Sequence, residues 1–101
     1  MVLKLTGDVQ LAVPTLNANG TSKQQLLKQM TNVINQLDSA IAALREAAPH
    51  GRDYFTTHSL DSWASAAAEH RNRIKRITEV RDEISSIAEA VLQQPSPFGR
   101  Q

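Results

Sequence analysis

The residues predict a mainly α protein: an antiparallel helical hairpin with an N-terminal β-strand or β-hairpin arm, assembling with copies of itself into a helical-bundle oligomer. Three observations carry that expectation. Apolar residues alternate strictly between Leu3 and Val13, they recur at spacings of four and three along two later stretches, and Pro49-His50-Gly51 separates those stretches. The chain divides accordingly into a β arm over 1–20, a helical hairpin over 21–93 and a flexible tail over 94–101.

In the arm, Leu3, Leu5, Val9, Leu11 and Val13 occupy alternate positions, with Gly7 filling the missing one. The pattern fits one extended strand. It also fits two short strands about Thr6-Gly7-Asp8, which put Leu5 opposite Val9 and Leu3 opposite Leu11 on one face. A lone hairpin is marginal in water, so that face needs helices or a second chain to cover it. Pro14 removes a ladder donor and ends the strand.

Residues 14–20 are rich in turn formers and lead into a helix start. Ser22 with Gln25, or Thr21 with Gln24, has the spacing of a capping box. Beyond it, Leu26, Met30, Val33, Leu37, Ala40, Leu44 and Ala47 form an apolar stripe, with Leu27, Ile34, Ile41 and Ala48 along one edge. The first helix is expected from about Ser22 to Ala47.

Pro49 then stops the helix, and Gly51 is expected to supply the positive φ of a reversal. Thr56 to Ser59 reads as a polar bridge, and Ser59 or Asp61 as the cap of a second helix running to about Gln93. Its stripe is Trp63, Ala67, His70, Ile74, Ile77, Arg81 or Val80, Ile84, Ala88 and Val91. Laid antiparallel, the stripes place Leu44 near Ala67, Ile41 near His70, Leu37 near Ile74 and Ile34 near Ile77. Ala88, Val91 and Leu92 extend past the first helix and need the arm or a neighbouring subunit. Two helices cannot bury stripes this wide, hence the expected oligomer.

Composition narrows the function classes. A chain of 101 residues with 41% apolar content is one domain, near the lower limit for an unaided core. Its net charge of +1 does not suit a DNA-coating protein, which needs a surplus of cations over a broad face. It has no cysteine, so no disulfide framework and no cysteine metal site, as suits a reducing cytoplasm. No stretch approaches the ~20 apolar residues of a membrane span, and no apolar leader is evident. The expectation is a soluble intracellular protein, with no membrane partner and no cofactor.

Three segments, in order, carry a family resemblance: Val13-Pro14-Thr15-Leu16-Asn17-Ala18-Asn19-Gly20-Thr21-Ser22, then Ala48-Pro49-His50-Gly51-Arg52-Asp53-Tyr54-Phe55, then Glu69-His70-Arg71 with Arg73. Together they resemble a family of small proteins encoded by tailed bacteriophages, over about Val13 to Val91. Phe55 stands where the pattern has a second tyrosine. The resemblance brings no activity with it; it implies a phage accessory protein in the cytoplasm of an infected bacterium. In that setting, small helical oligomers act as inhibitors or sponges of host defence signals.

The candidate ligand-binding residues form two groups. Asn19, Gly20, Thr21 and Ser22, with Lys23, offer backbone donors, hydroxyls and a cation at a helix N-terminus, a favourable place for an anion, although an ordinary cap uses the same residues. His50, Arg52, Asp53, Tyr54 and Phe55 add a guanidinium for bidentate contacts and rings for stacking on a base, supplemented by His58, His70 or Arg71. His70 also reads as a core or interface histidine facing Ile41. The two groups lie at opposite ends of one hairpin, so a composite site requires an oligomer.

Enzyme signals are weak. Zinc ligation by His50, His58, His70 and Asp53 lacks a recognised spacing, a serine triad from Ser59 or Ser62 with Asp61 lacks a nucleophile elbow, and there is no phosphate loop. Arg71, Arg73, Lys75 and Arg76 are spread round a helix and answered by Glu69, Glu79 and Asp82, as on a solvated face. The leading expectation is therefore a non-catalytic protein that sequesters an anionic, base-containing molecule such as a cyclic nucleotide. The alternative is a protein–protein interaction or assembly module with no small ligand.

Overall fold

The computed structural model describes residues 2–4, 10–54 and 60–97, without the side chains of 2–4, 60 and 61. Two strands, β1 (Val2–Lys4) and β2 (Gln10–Ala12), precede two helices, α1 (Lys23–Glu46) and α2 (Leu60–Leu92), with a single 3₁₀ turn at Gly51–Tyr54 between the helices. The strands pair antiparallel with Leu3 opposite Leu11, which selects the β-hairpin over the single strand. The Leu5–Val9 pair and the Thr6-Gly7-Asp8 turn lie outside the described residues, as do Phe55, the Thr56–Ser59 bridge and Phe98.

Local chemistry sets both ends of α1. Ser22 is the N-cap in extended conformation, and its Oγ accepts from the Gln25 amide at 3.1 Å. At the other end Ala47 caps the helix, its amide shared between the carbonyls of Ala43 and Leu44 at 3.0 and 3.2 Å. The Ala48 amide goes to Arg45 instead of Leu44, because Pro49 draws the chain out of helical path. Helix α2 opens at Leu60, so Asp61 sits inside its first turn and is not its cap.

The helices pack side by side as a hairpin, and the molecule is 65 Å long. On α1 the partly or fully covered apolar positions are Leu26, Leu27, Met30, Ile34, Leu37, Ile41 and Leu44. Val33, Ala40 and Ala47 are exposed, so the hairpin closes on the Ile34–Ile41 edge of the stripe and leaves the other edge in solvent. On α2 the line facing α1 is His70, Ile74, Ile77, Arg81, Ile84, Ala88 and Val91, alternating by four and three as a helix-packing seam does. Two cross-helix contacts give the register. The His70 ring meets the Leu44 carbonyl, and Arg81 Nε donates to Asp38 Oδ1 at 2.9 Å. Asp38 raises the Arg81 pKa above its usual value, first through the hydrogen bond and then through charge, so Arg81 stays cationic.

The arm packs on the last turns of α2, beside the start of α1. Val91 is fully buried there and Val13 nearly so. One side chain fastens the arm: Gln94 Nε2 donates to the Pro14 carbonyl at 2.7 Å while Gln94 Oε1 accepts from the Leu16 amide at 3.1 Å. The carboxamide stands in for a strand neighbour, offering a donor and an acceptor at the spacing of a backbone edge. Lys23 Nζ donates to the Gln94 carbonyl at 2.7 Å, tying the start of α1 to the end of α2, where a cation is favoured by the helix dipole.

Two outcomes follow for stability. Gln94→Ala orphans the Pro14 carbonyl and the Leu16 amide, and should raise hydrogen exchange at Leu16 about tenfold or more, since an unmade bond costs about 1–3 kcal/mol. Val91→Ala should lower the urea midpoint by the equivalent of about 2 kcal/mol with unchanged slope, against under about 0.5 kcal/mol for exposed Leu92→Ala.

Candidate functional site

The reversal does not use the backbone freedom of glycine. Gly51 has an ordinary φ, and a methyl group added to it would make plain van der Waals contact, 3.9 Å, with the Trp63 ring. The expected positive φ at Gly51 is therefore corrected: Gly51 opens the 3₁₀ turn that follows Pro49 in an ordinary backbone conformation. Trp63 anchors this turn, its Nε1 donating to the Pro49 carbonyl at 3.3 Å while its ring lies under Gly51. Its stripe position showed in the sequence; its bond to a carbonyl fourteen residues earlier had no local signal.

His50 serves the same turn. Its Nδ1 accepts from the Arg52 amide at 3.2 Å, and its carbonyl accepts from the Asp53 amide at 3.0 Å, so the residue caps the 3₁₀ turn as an asparagine would. Because Nδ1 accepts, the proton of the neutral ring sits on Nε2. Arg52 and Asp53 are exposed, and neither side chain has a partner among the described residues. Tyr54 is half-buried and borders an open cleft of about 460 Å³ lined by Ser62, Ser65, Ala66 and Glu69. Two hydroxyls, a phenol and a carboxylate make a polar wall. Glu69 opposes a phosphate there, although Arg73 stands 3.8 Å from its carboxylate.

His70 is 8% exposed, a buried polar side chain in a thin apolar core. Its Nε2 bonds to the Leu44 carbonyl. A carbonyl only accepts, so Nε2 carries the proton and donates. Leu44 is among the last four carbonyls of α1, which lack full helical partners, and His70 supplies the donor that Ala48 no longer gives. This is a cap delivered from the neighbouring helix. Arg71, the next residue, is exposed and has no partner among the described residues.

At the arm end, the candidate anion donors are largely engaged with the chain itself. The Asn19 amide donates to Asn17 Oδ1 at 3.0 Å, the Gly20 amide to the Asn17 carbonyl at 3.2 Å, and Ser22 Oγ holds the helix cap. Lys23 is bound to Gln94. Thr21 is exposed. The 24 residues of α1, about 36 Å of helix, separate this group from His50, Arg52, Asp53 and Tyr54, so one chain brings the two groups no closer. Among the described residues no three metal-ligating side chains come together, and no helix is long and apolar enough to cross a membrane.

Substitutions separate the structural from the free residues here. His70→Ala should cost about 0.5–1.5 kcal/mol in urea unfolding through the lost bond to the Leu44 carbonyl, which keeps the Ala47 amide, Arg71→Ala under about 0.5, and Gly51→Ala should be neutral or slightly stabilising. Comparison of the chain with protein families, with curated proteins and with solved structures gives no match.

Proposed function

We propose that the protein is a non-catalytic, self-associating interaction module whose hairpins pack side by side into a helical bundle. One observation carries this reading. The chain exposes 7431 Å², whereas a compact monomer of its 11.1 kDa exposes roughly 5,700 Å². The excess of about 1,800 Å² exceeds the ~800 Å² that each partner contributes to a standard interface. Its radius of gyration, 19.4 Å against about 13 Å for a compact chain of this length, agrees. Val33, Trp63, Val80 and Leu92 are all at least 40% exposed, in a molecule whose fully buried apolar side chains are few. The non-catalytic part of the reading is supported by the histidines: both ring atoms that the fold engages, Nδ1 of His50 and Nε2 of His70, hold backbone groups.

A second reading adds a ligand to the assembly. Arg52, without a partner beside the Tyr54 cleft, favours an anionic, base-containing molecule such as a cyclic nucleotide, held between the turn of one copy and the arm of another and so sequestered. The setting, a phage accessory protein countering defence signals in the host cytoplasm, rests on the motif resemblance over residues 13–22, 48–55 and 69–73.

Light scattering with a thermal-shift screen against cyclic nucleotides tests both. Self-association predicts a mass of at least two chains and a melting temperature that rises with protein concentration. Sequestration predicts in addition a ligand-induced rise that Arg52→Ala abolishes while the mass is unchanged. A monomer at every concentration overturns both readings, and an oligomer without ligand stabilisation leaves the assembly module alone.

A further inference from the structure

The uncovered edges of the two helices have a pattern that names their partner. On α1, Val33, Ala40 and Ala47 lie seven apart and exposed, with Val33 at 42%. On α2, Val80 is 46% exposed and stands to one side of the seam, with Arg73 seven residues before it and Ile87 seven after. At about 100° per residue in two antiparallel right-handed helices, these two edges fall on one broad face of the hairpin. Asp38, which pairs with Arg81, falls on the opposite face.

Charges frame Val80 on its edge. Arg76 lies one turn before it and Glu83 one turn after, and among the described residues neither has an ion-pair partner. Seven residues separate them, about 10 Å along the axis, which is too far for them to pair with each other. A cation on one side of an apolar centre and an anion on the other is a self-complementary arrangement. A two-fold axis beside the centre brings each charge of one copy to the opposite charge of the next, as an isologous contact requires.

We infer that a second copy of the chain docks antiparallel on the Val33–Val80 face, with the two-fold axis beside Val80 and two Arg76–Glu83 pairs across the interface. The inference rests on the self-association proposed above and specifies its surface and direction. The self-complementary order of charge distinguishes a copy of this chain from an unrelated apolar helix, which would have no reason to match a cation and an anion at that separation.

The absence of cysteine from the chain allows a direct test. Val80→Cys should give a disulfide-linked dimer under mild oxidation, because a residue beside a two-fold axis meets its own copy, whereas Lys75→Cys on the far side of α2 should not. Arg76→Glu and Glu83→Arg should each weaken the dimer about tenfold or more by light scattering, and the double variant should recover it, with circular dichroism reporting that helix content is kept. A dimer that ignores both charge reversals and does not cross-link at residue 80 overturns this face while leaving self-association intact. A monomeric parent chain overturns both.

Discussion

Two helices in contact can each hide only one line of side chains, and that geometric limit governs this molecule. Apart from the arm there is no second layer, so the seam from His70 to Val91 carries the packing, and only Val13, Ile41, His70 and Val91 are buried among the described residues. With so little burial, the ends of the hairpin cannot be left to apolar contact. Polar clasps close them. At the turn end His70 and Trp63 donate to the carbonyls of Leu44 and Pro49, and at the arm end Gln94 and Lys23 bind backbone and each other. Each clasp satisfies a backbone group that the end of a helix or strand would otherwise strand, and so stabilises more than an exposed side-chain pair does.

The same limit bears on function. Residues spent on clasps are not available to a ligand, and this removes much of the candidate set: Ser22, Lys23, His50 and His70 are held by the chain itself. Among the described residues, what remains unengaged is sparse and separated, Thr21 at one end and Arg52, Asp53, Tyr54 and Arg71 at the other. A single hairpin therefore keeps no cluster of free donors at the arm end, and its free cations and ring lie at the turn. That is the physical reason for placing assembly ahead of ligand binding.

Local chemistry was legible in the residues. The Ser22 cap, the Pro49 stop, the Leu3–Leu11 pairing and the long stripes all depend on neighbours within a few positions, and the structure agrees with them. What was not legible depends on distance. A stripe as wide as that of α1 names two edges, Val33–Ala40–Ala47 and Ile34–Ile41, without saying which one the partner helix takes. His70 showed as a core histidine facing Ile41, but its bond to the Leu44 carbonyl on the other helix has no local signal. Gly51 suggested a left-handed turn by type, yet it sits in a 3₁₀ turn with an ordinary φ. The Gln94 clasp joins residues 78 and 80 positions apart, and nothing near Gln94 announces it. On the candidate site, the residues were found as types, but the split between structural and free ones required the hydrogen bonds.

The position of the inferred two-fold axis bears on whether the arm and turn ends can meet. Val80 lies on the arm side of the middle of α2, twenty residues from its start at Leu60 and twelve from its end at Leu92. Rotation about an axis there sets the turn end of each copy toward the arm end of the other. A parallel pair would instead stack turn on turn and arm on arm. Antiparallel docking makes the two uncovered edges meet in opposite directions. It also sets the arm end of one copy toward the turn end of the other, the order that a site shared between Thr21 of one copy and Arg52 of the next would require.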